Sequence, residues 1–129
     1  MPKSTRPAYS RFLTYLEVER TDAANELESL QINTRTWAST FEWNGDRMMR
    51  LAAICETADH YEAILTDRSN ADLSDGFRAC KAQLMEDLLH DARYPKASTS
   101  PMANLMWQMR NSVRAEFLKT MIRYEEDEA

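Results

Sequence analysis

Leu73, Phe77, Cys80, Leu84 and Leu88 recur at spacings of four, three, four and four, the interval that lines up one face of an α-helix. Residues 73–92 therefore read as an amphipathic helix. A second such face runs through Met102, Leu105, Met106, Met109, Val113, Phe117 and Met121. Ser100 and Pro101 open it, the serine as N-cap and the proline at the first helical position, where its missing N–H costs nothing. The intervening DARYPKASTSPM has two prolines, small polar residues and no apolar period. Residues 73–92 and 101–124 thus read as two long helices folded back on each other in an antiparallel hairpin.

Upstream the pattern is more broken. Met48, Leu51, Ala52, Cys55, Ala58, Ile64 and Leu65 give the inward stripe of a helix from Asp46 to about Arg68, and either Asp72 or Ser74 can start the next one. Trp43-Asn44-Gly45-Asp46 reads as a break, because Asn and Gly tolerate positive φ and Asp46 caps the helix after it. A first helix is expected over Tyr9–Arg20, with Phe12, Leu13, Tyr15, Leu16 and Val18 on its apolar side. Thr21 or Asp22 then caps a short second helix, on which Ala23, Leu27 and Leu30 share a face. Asn33 or Thr34 can cap the segment TRTWASTFEW, in which Trp37 and Phe41 form an i, i+4 apolar pair.

Two glycines, four prolines and no alternating β-branched runs leave little material for strands and hairpin turns, so the expected class is all-α. The expected organisation is an N-terminal helix-turn-helix-like unit over 1–45, a central hairpin and oligomerisation region over 46–124, and an acidic tail over 125–129. Net charge is −5, but the final EEDEA holds four acids, so the rest of the chain stands at −1. The first fifty residues balance seven Lys/Arg against seven Asp/Glu, and any DNA contact must come from a local patch or from repetition in an oligomer. The like-charge run of the tail is expected to stay mobile and solvated.

Several chemistries lack their residues. Cys55, His60, Cys80 and His90 show no pair at zinc-ligand spacing, and the cysteines read as small apolar residues in a reducing compartment. Glu86, Asp87 and Asp91 near His90 and Arg93 could suggest an acid/base or magnesium site, but at a helix end they read as a solvated face. No Gly-rich phosphate loop, GxSxG or HExxH is present. No cofactor or metal is expected, and an enzyme is not. No apolar run reaches the roughly 20 residues that span a bilayer, and no apolar stretch follows the basic MPKSTRPAYSRF as in a secretory leader. A cytoplasmic protein is the expectation.

LQINTRTWASTF carries two readings. Leu27, Leu30, Ile32 and Trp37 could hold two short helices near a right angle, with Asn33, Thr34, Arg35 and Ser39 offered to bases and phosphates. The alternative is a helical corner packed on Trp37. In SPMANLMWQMRN, Trp107 is offset from the main stripe. A helix apolar on more than one side suggests burial against a second partner, such as another copy of the chain.

In order, the parts are a basic arm with Lys3 and Arg6, a possible helix-turn-helix, a linking helix, a long hairpin and an acidic end. This layout resembles the small terminase subunit of tailed bacteriophages, the factor that recognises viral DNA for packaging. The resemblance implies a ring of identical subunits built by residues 73–121. Phe77, Leu84, Leu105, Met106, Trp107 and Met109 would lie at its interfaces. It further implies double-stranded DNA bound by Lys3, Arg6, Asn33, Thr34, Arg35 and Ser39, and a large ATP-driven nuclease subunit engaged through the C-terminal region in the host cytoplasm. The other reading is a small helical interaction module, such as a phage-encoded inhibitor of a host protein.

Overall fold

The computed structural model describes residues 6–32, 37–93 and 100–128, and for residues 31, 32 and 37–43 the backbone path alone. Every regular element among them is an α-helix: α1 (Ala8–Ile32), α2 (Trp37–Leu65), α3 (Leu73–Arg93) and α4 (Pro101–Glu128). None is long and apolar enough to cross a membrane.

The helix ends follow local chemistry. Asp72 caps α3 by accepting the Asp75 N–H at 2.9 Å, which settles the choice between Asp72 and Ser74. Ser100 caps α4, its Oγ accepting the Ala103 N–H at 3.3 Å, and Pro101 is the first helical residue as expected. At the end of α2, the Asn70 side chain donates to the Ile64 carbonyl at 3.0 Å and so satisfies one of the carbonyls a helix terminus leaves open. α2 therefore stops at Leu65, three residues short of the expected end.

Two expected breaks are absent. α1 runs unbroken through Thr21 and Asp22, and α2 runs unbroken through Asn44 and Gly45, across the expected boundary at residue 45. Gly45 does not take the positive φ that a break would use. Packing overrides the local signals. Ala8, Phe12, Leu16 and Ala23 are buried on one continuous face of α1, which interruption at Thr21 would split. An interior glycine costs a helix only about 1 kcal/mol, and Met48, Met49 and Leu51 are buried immediately beyond Gly45.

All four helices contribute to one core. Phe12 and Leu16 of α1, Tyr61 and Leu65 of α2, Cys80 and Leu84 of α3, and Val113, Phe117 and Met121 of α4 are essentially inaccessible to solvent. Ion pairs frame it: Arg20 with Asp59 and Glu62, Arg47 with Glu26, Arg50 with Glu116, and Arg110 with Glu56. Lys81 of α3 meets Glu125 of α4 at 2.7 Å, and Asp91 meets Arg114 at 3.0 Å.

The acidic end departs from expectation. α4 continues to Glu128, whose carboxylate accepts the N–H of Ala8, the first residue of α1. Asp127 pairs with Arg11 at 3.2 Å, and the Arg11 guanidinium also lies 4.2 Å from the centre of the Tyr124 ring. The four acids are therefore not simply solvated. Three of them find cations or an open helix N-terminus, where negative charge is favoured. Deleting residues 125–129 is expected to destabilise the fold by about 1–2 kcal/mol, the loss of one N-terminal acceptor and two part-exposed ion pairs. Urea unfolding checks this, and an unchanged midpoint would contradict the docking.

Candidate functional site

Of the residues read from the sequence as DNA contacts, the structure describes Arg6 and the backbone of Ser39. Arg6 lies at the start of α1, where its guanidinium donates to the Thr14 hydroxyl at 2.9 Å and the Ser10 carbonyl at 3.3 Å. Ser39 lies in the first turns of α2, its backbone alone described, and Lys3, Asn33, Thr34 and Arg35 lie outside the described residues. With 1.5 Å of rise per residue, α1 is about 36 Å long from Ala8 to Ile32.

The expected oligomer contacts also divide. Phe77 and Leu84 are 6% and 0% exposed, consumed by the core of the protomer itself, and so have no surface to offer a second copy. Leu105, Met106, Trp107 and Met109 are half-buried, and Met106 and Met109 pack onto that core. The apolar surface that remains lies elsewhere. Met85 and Leu89 of α3 are 46% and 55% exposed. With Ala82, Glu86, His90 and Arg93 they line an open, largely apolar groove of about 450 Å³. The signal was present in the sequence, since Met85 and Leu89 stand at i, i+4 just beside the inward stripe. Met102, expected on the inward face of α4, is instead 52% exposed at the start of that helix.

A second constellation is polar and occupies the seam between α2, α3 and α4. The buried Tyr61 hydroxyl donates to Asp87 at 2.5 Å, and Gln83 donates to the same carboxylate at 2.8 Å. Arg114 donates to Asp91 at 3.0 Å and to the Asn111 side-chain oxygen at 2.9 Å. Arg110 reaches Glu56 through two nitrogens at 3.2 and 3.3 Å. Asp87 and Asp91 are thus tied into the protein, not displayed on a solvated helix end; the Asp91 side chain is only 13% exposed. Sequence reasoning missed this seam because its partners come from three helices.

Two small cavities flank the seam, of about 100 Å³ beside Trp107 and Arg114 and about 170 Å³ beside Thr57 and His60. The Trp107 Nε1 and Arg114 Nε atoms are buried without an acceptor among the described residues. Burial, and then the Asp87 hydrogen bond, push the Tyr61 phenol above its ordinary range, so the hydroxyl stays protonated and donating. Burial likewise pushes the Cys80 thiol up to about 12, which suppresses the nucleophilic thiolate. Chemically the seam fixes charges in place: its carboxylates already accept hydrogen bonds from neighbouring side chains. Among the described residues, no three His, Cys, Asp or Glu side chains converge as a metal ion would require. No protein-family model, curated protein or solved structure matches this chain.

Proposed function

We propose that this protein is a non-enzymatic helical assembly subunit, which self-associates through the hairpin of α3 and α4 and presents residues 33–39 to duplex DNA. The observation that carries the assembly half is the apolar groove on α3, where Met85 and Leu89 are about half exposed on the outward side of a helix whose inner face is already spent on the core. An outward stripe of this kind is the usual mark of a protein contact. Assembly also makes DNA contact feasible. A chain at −5 binds phosphate poorly by itself, whereas several copies on one duplex add their contacts. This is the arrangement of a phage DNA-packaging subunit, the family the layout resembles. Because three acids at the end of α4 are engaged by α1 and α3, a large packaging subunit would bind outward residues of α4 such as Ile122 and Arg123.

Light scattering is the test of assembly, with an expected mass well above the 15.0 kDa of one chain. Met85→Asp with Leu89→Asp should return the mass to that of a monomer while leaving helicity intact. A wild-type monomer at high micromolar concentration overturns the proposal. DNA contact is read by fluorescence anisotropy with duplex DNA. Binding is expected at low salt, fading as salt rises and weakened by Arg35→Ala. An assembled protein with no DNA affinity at low salt selects the interaction-module reading instead.

A further inference from the structure

We infer that two copies of this chain associate by an antiparallel, two-fold contact of α3 against the partner's α3, with the dyad passing beside Leu89. The inference rests on the assembly reading above and specifies its partner and geometry.

Charge selects the arrangement. Glu86 and Arg93 both line the α3 groove and lie seven residues apart, two helical turns on one face, about 10.5 Å along the axis. That separation is too long for them to pair with each other. Among the described residues, neither side chain is engaged in an ion pair or hydrogen bond. The midpoint between them falls next to Leu89, the most exposed large apolar side chain of the molecule's described residues. A two-fold axis through that midpoint sets Glu86 opposite the partner's Arg93, and Arg93 opposite the partner's Glu86. Leu89 then packs beside the partner's Leu89. A parallel, in-register packing would instead set Glu86 against the partner's Glu86 and Arg93 against the partner's Arg93, which like charges disfavour. The surface is thus complementary to itself in one orientation, as an isologous contact requires.

The contact is also bounded in size. Ala82 to Arg93 spans about 16 Å of helix, so the interface belongs with small, reversible ones and its dimer forms at micromolar concentrations and above. A two-fold contact closes on itself, so any larger ring needs a second, different surface.

A charge swap read by sedimentation equilibrium between about 5 and 500 μM tests the geometry. Glu86→Arg and Arg93→Glu are each expected to weaken dimerisation by about tenfold or more, since each change sets like charges together twice. The double variant, Glu86→Arg with Arg93→Glu, should regain the wild-type constant. Mixing the two single variants should give a heterodimer that forms more tightly than either variant's own dimer. Circular dichroism is expected to be unchanged throughout, because the substitutions lie on the surface. An assembled wild type whose mass is indifferent to both single swaps overturns this geometry and leaves the assembly reading standing. Weakening by the single swaps without recovery in the double variant also overturns it. A wild-type monomer across the whole range overturns both.

Discussion

Phe12→Ala is expected to remove about 3–5 kcal/mol of stability, the cost of emptying a fully enclosed aromatic site. Phe12 is completely buried and joins three helices through its ring. It stacks on Tyr15 within α1 at 5.9 Å between centroids. It meets Phe77 of α3 edge-on at 6.0 Å and Phe117 of α4 edge-on at 6.4 Å. Offset and edge-on pairs add about 0.5–1.5 kcal/mol each beyond area burial, so the loss falls on the junction of α1 with α3 and α4 together. A domain of this size has about 5–15 kcal/mol in total, and the variant should keep a folded state with a much lower urea midpoint and little change in slope. Val18→Ala on the same helix, at a half-exposed site, should change stability by less than about 0.5 kcal/mol. A Phe12→Ala loss as small as that would mean α1 does not dock where the ring contacts put it.

The same residues explain what could be read from the chain. The stripes of α3 and α4 were legible because each carries an uninterrupted helical period, and Cys80, Leu84, Val113, Phe117 and Met121 are all interior. The first half misled. Thr21, Asp22, Asn44 and Gly45 are local stop and start signals of about a kilocalorie or less. They yielded to the burial of Ala8, Phe12, Leu16 and Ala23 on one side and Met48, Met49 and Leu51 on the other. Phe77 and Leu84 were correctly seen as apolar and inward, but a periodic face does not say whether its cover is the same chain or another copy.

The charged contacts were the least legible part. Asp127 finds Arg11 across 116 positions, and Tyr61 finds Asp87 across 26. Nothing in the local pattern distinguishes such an acid from a solvated one. Glu86 and Asp87 are adjacent in sequence, yet one faces the outer groove and the other the inner seam, since successive helical residues point about 100° apart. Helical phase, not composition, separates the two surfaces.

Gly76→Ala should destabilise the protein by about 3 kcal/mol or more, at the upper end of overpacking costs. Helix propensity argues the opposite sign: Gly76 is a helical residue without positive φ, and alanine is favoured over glycine inside a helix by about 1 kcal/mol. Close approach decides the matter. A Cβ at position 76 would stand 2.1 Å from the Leu65 carbonyl oxygen and 3.0 Å from its carbon. Those atoms are backbone at the end of α2 and cannot rotate aside as a side chain can, so α3 itself must move. Its displacement would disturb Phe77 beside it, and one turn further on Cys80, whose Sγ lies 3.7 Å from the Tyr61 carbonyl. Thermal unfolding gives the sign at once, and alkylation gives the location. The Cys80 thiol is wholly buried in the wild type and should resist modification, whereas a displaced α3 admits the reagent. A Gly76→Ala protein that melts higher than wild type, with Cys80 still protected, would show that α3 does not approach the end of α2 so closely.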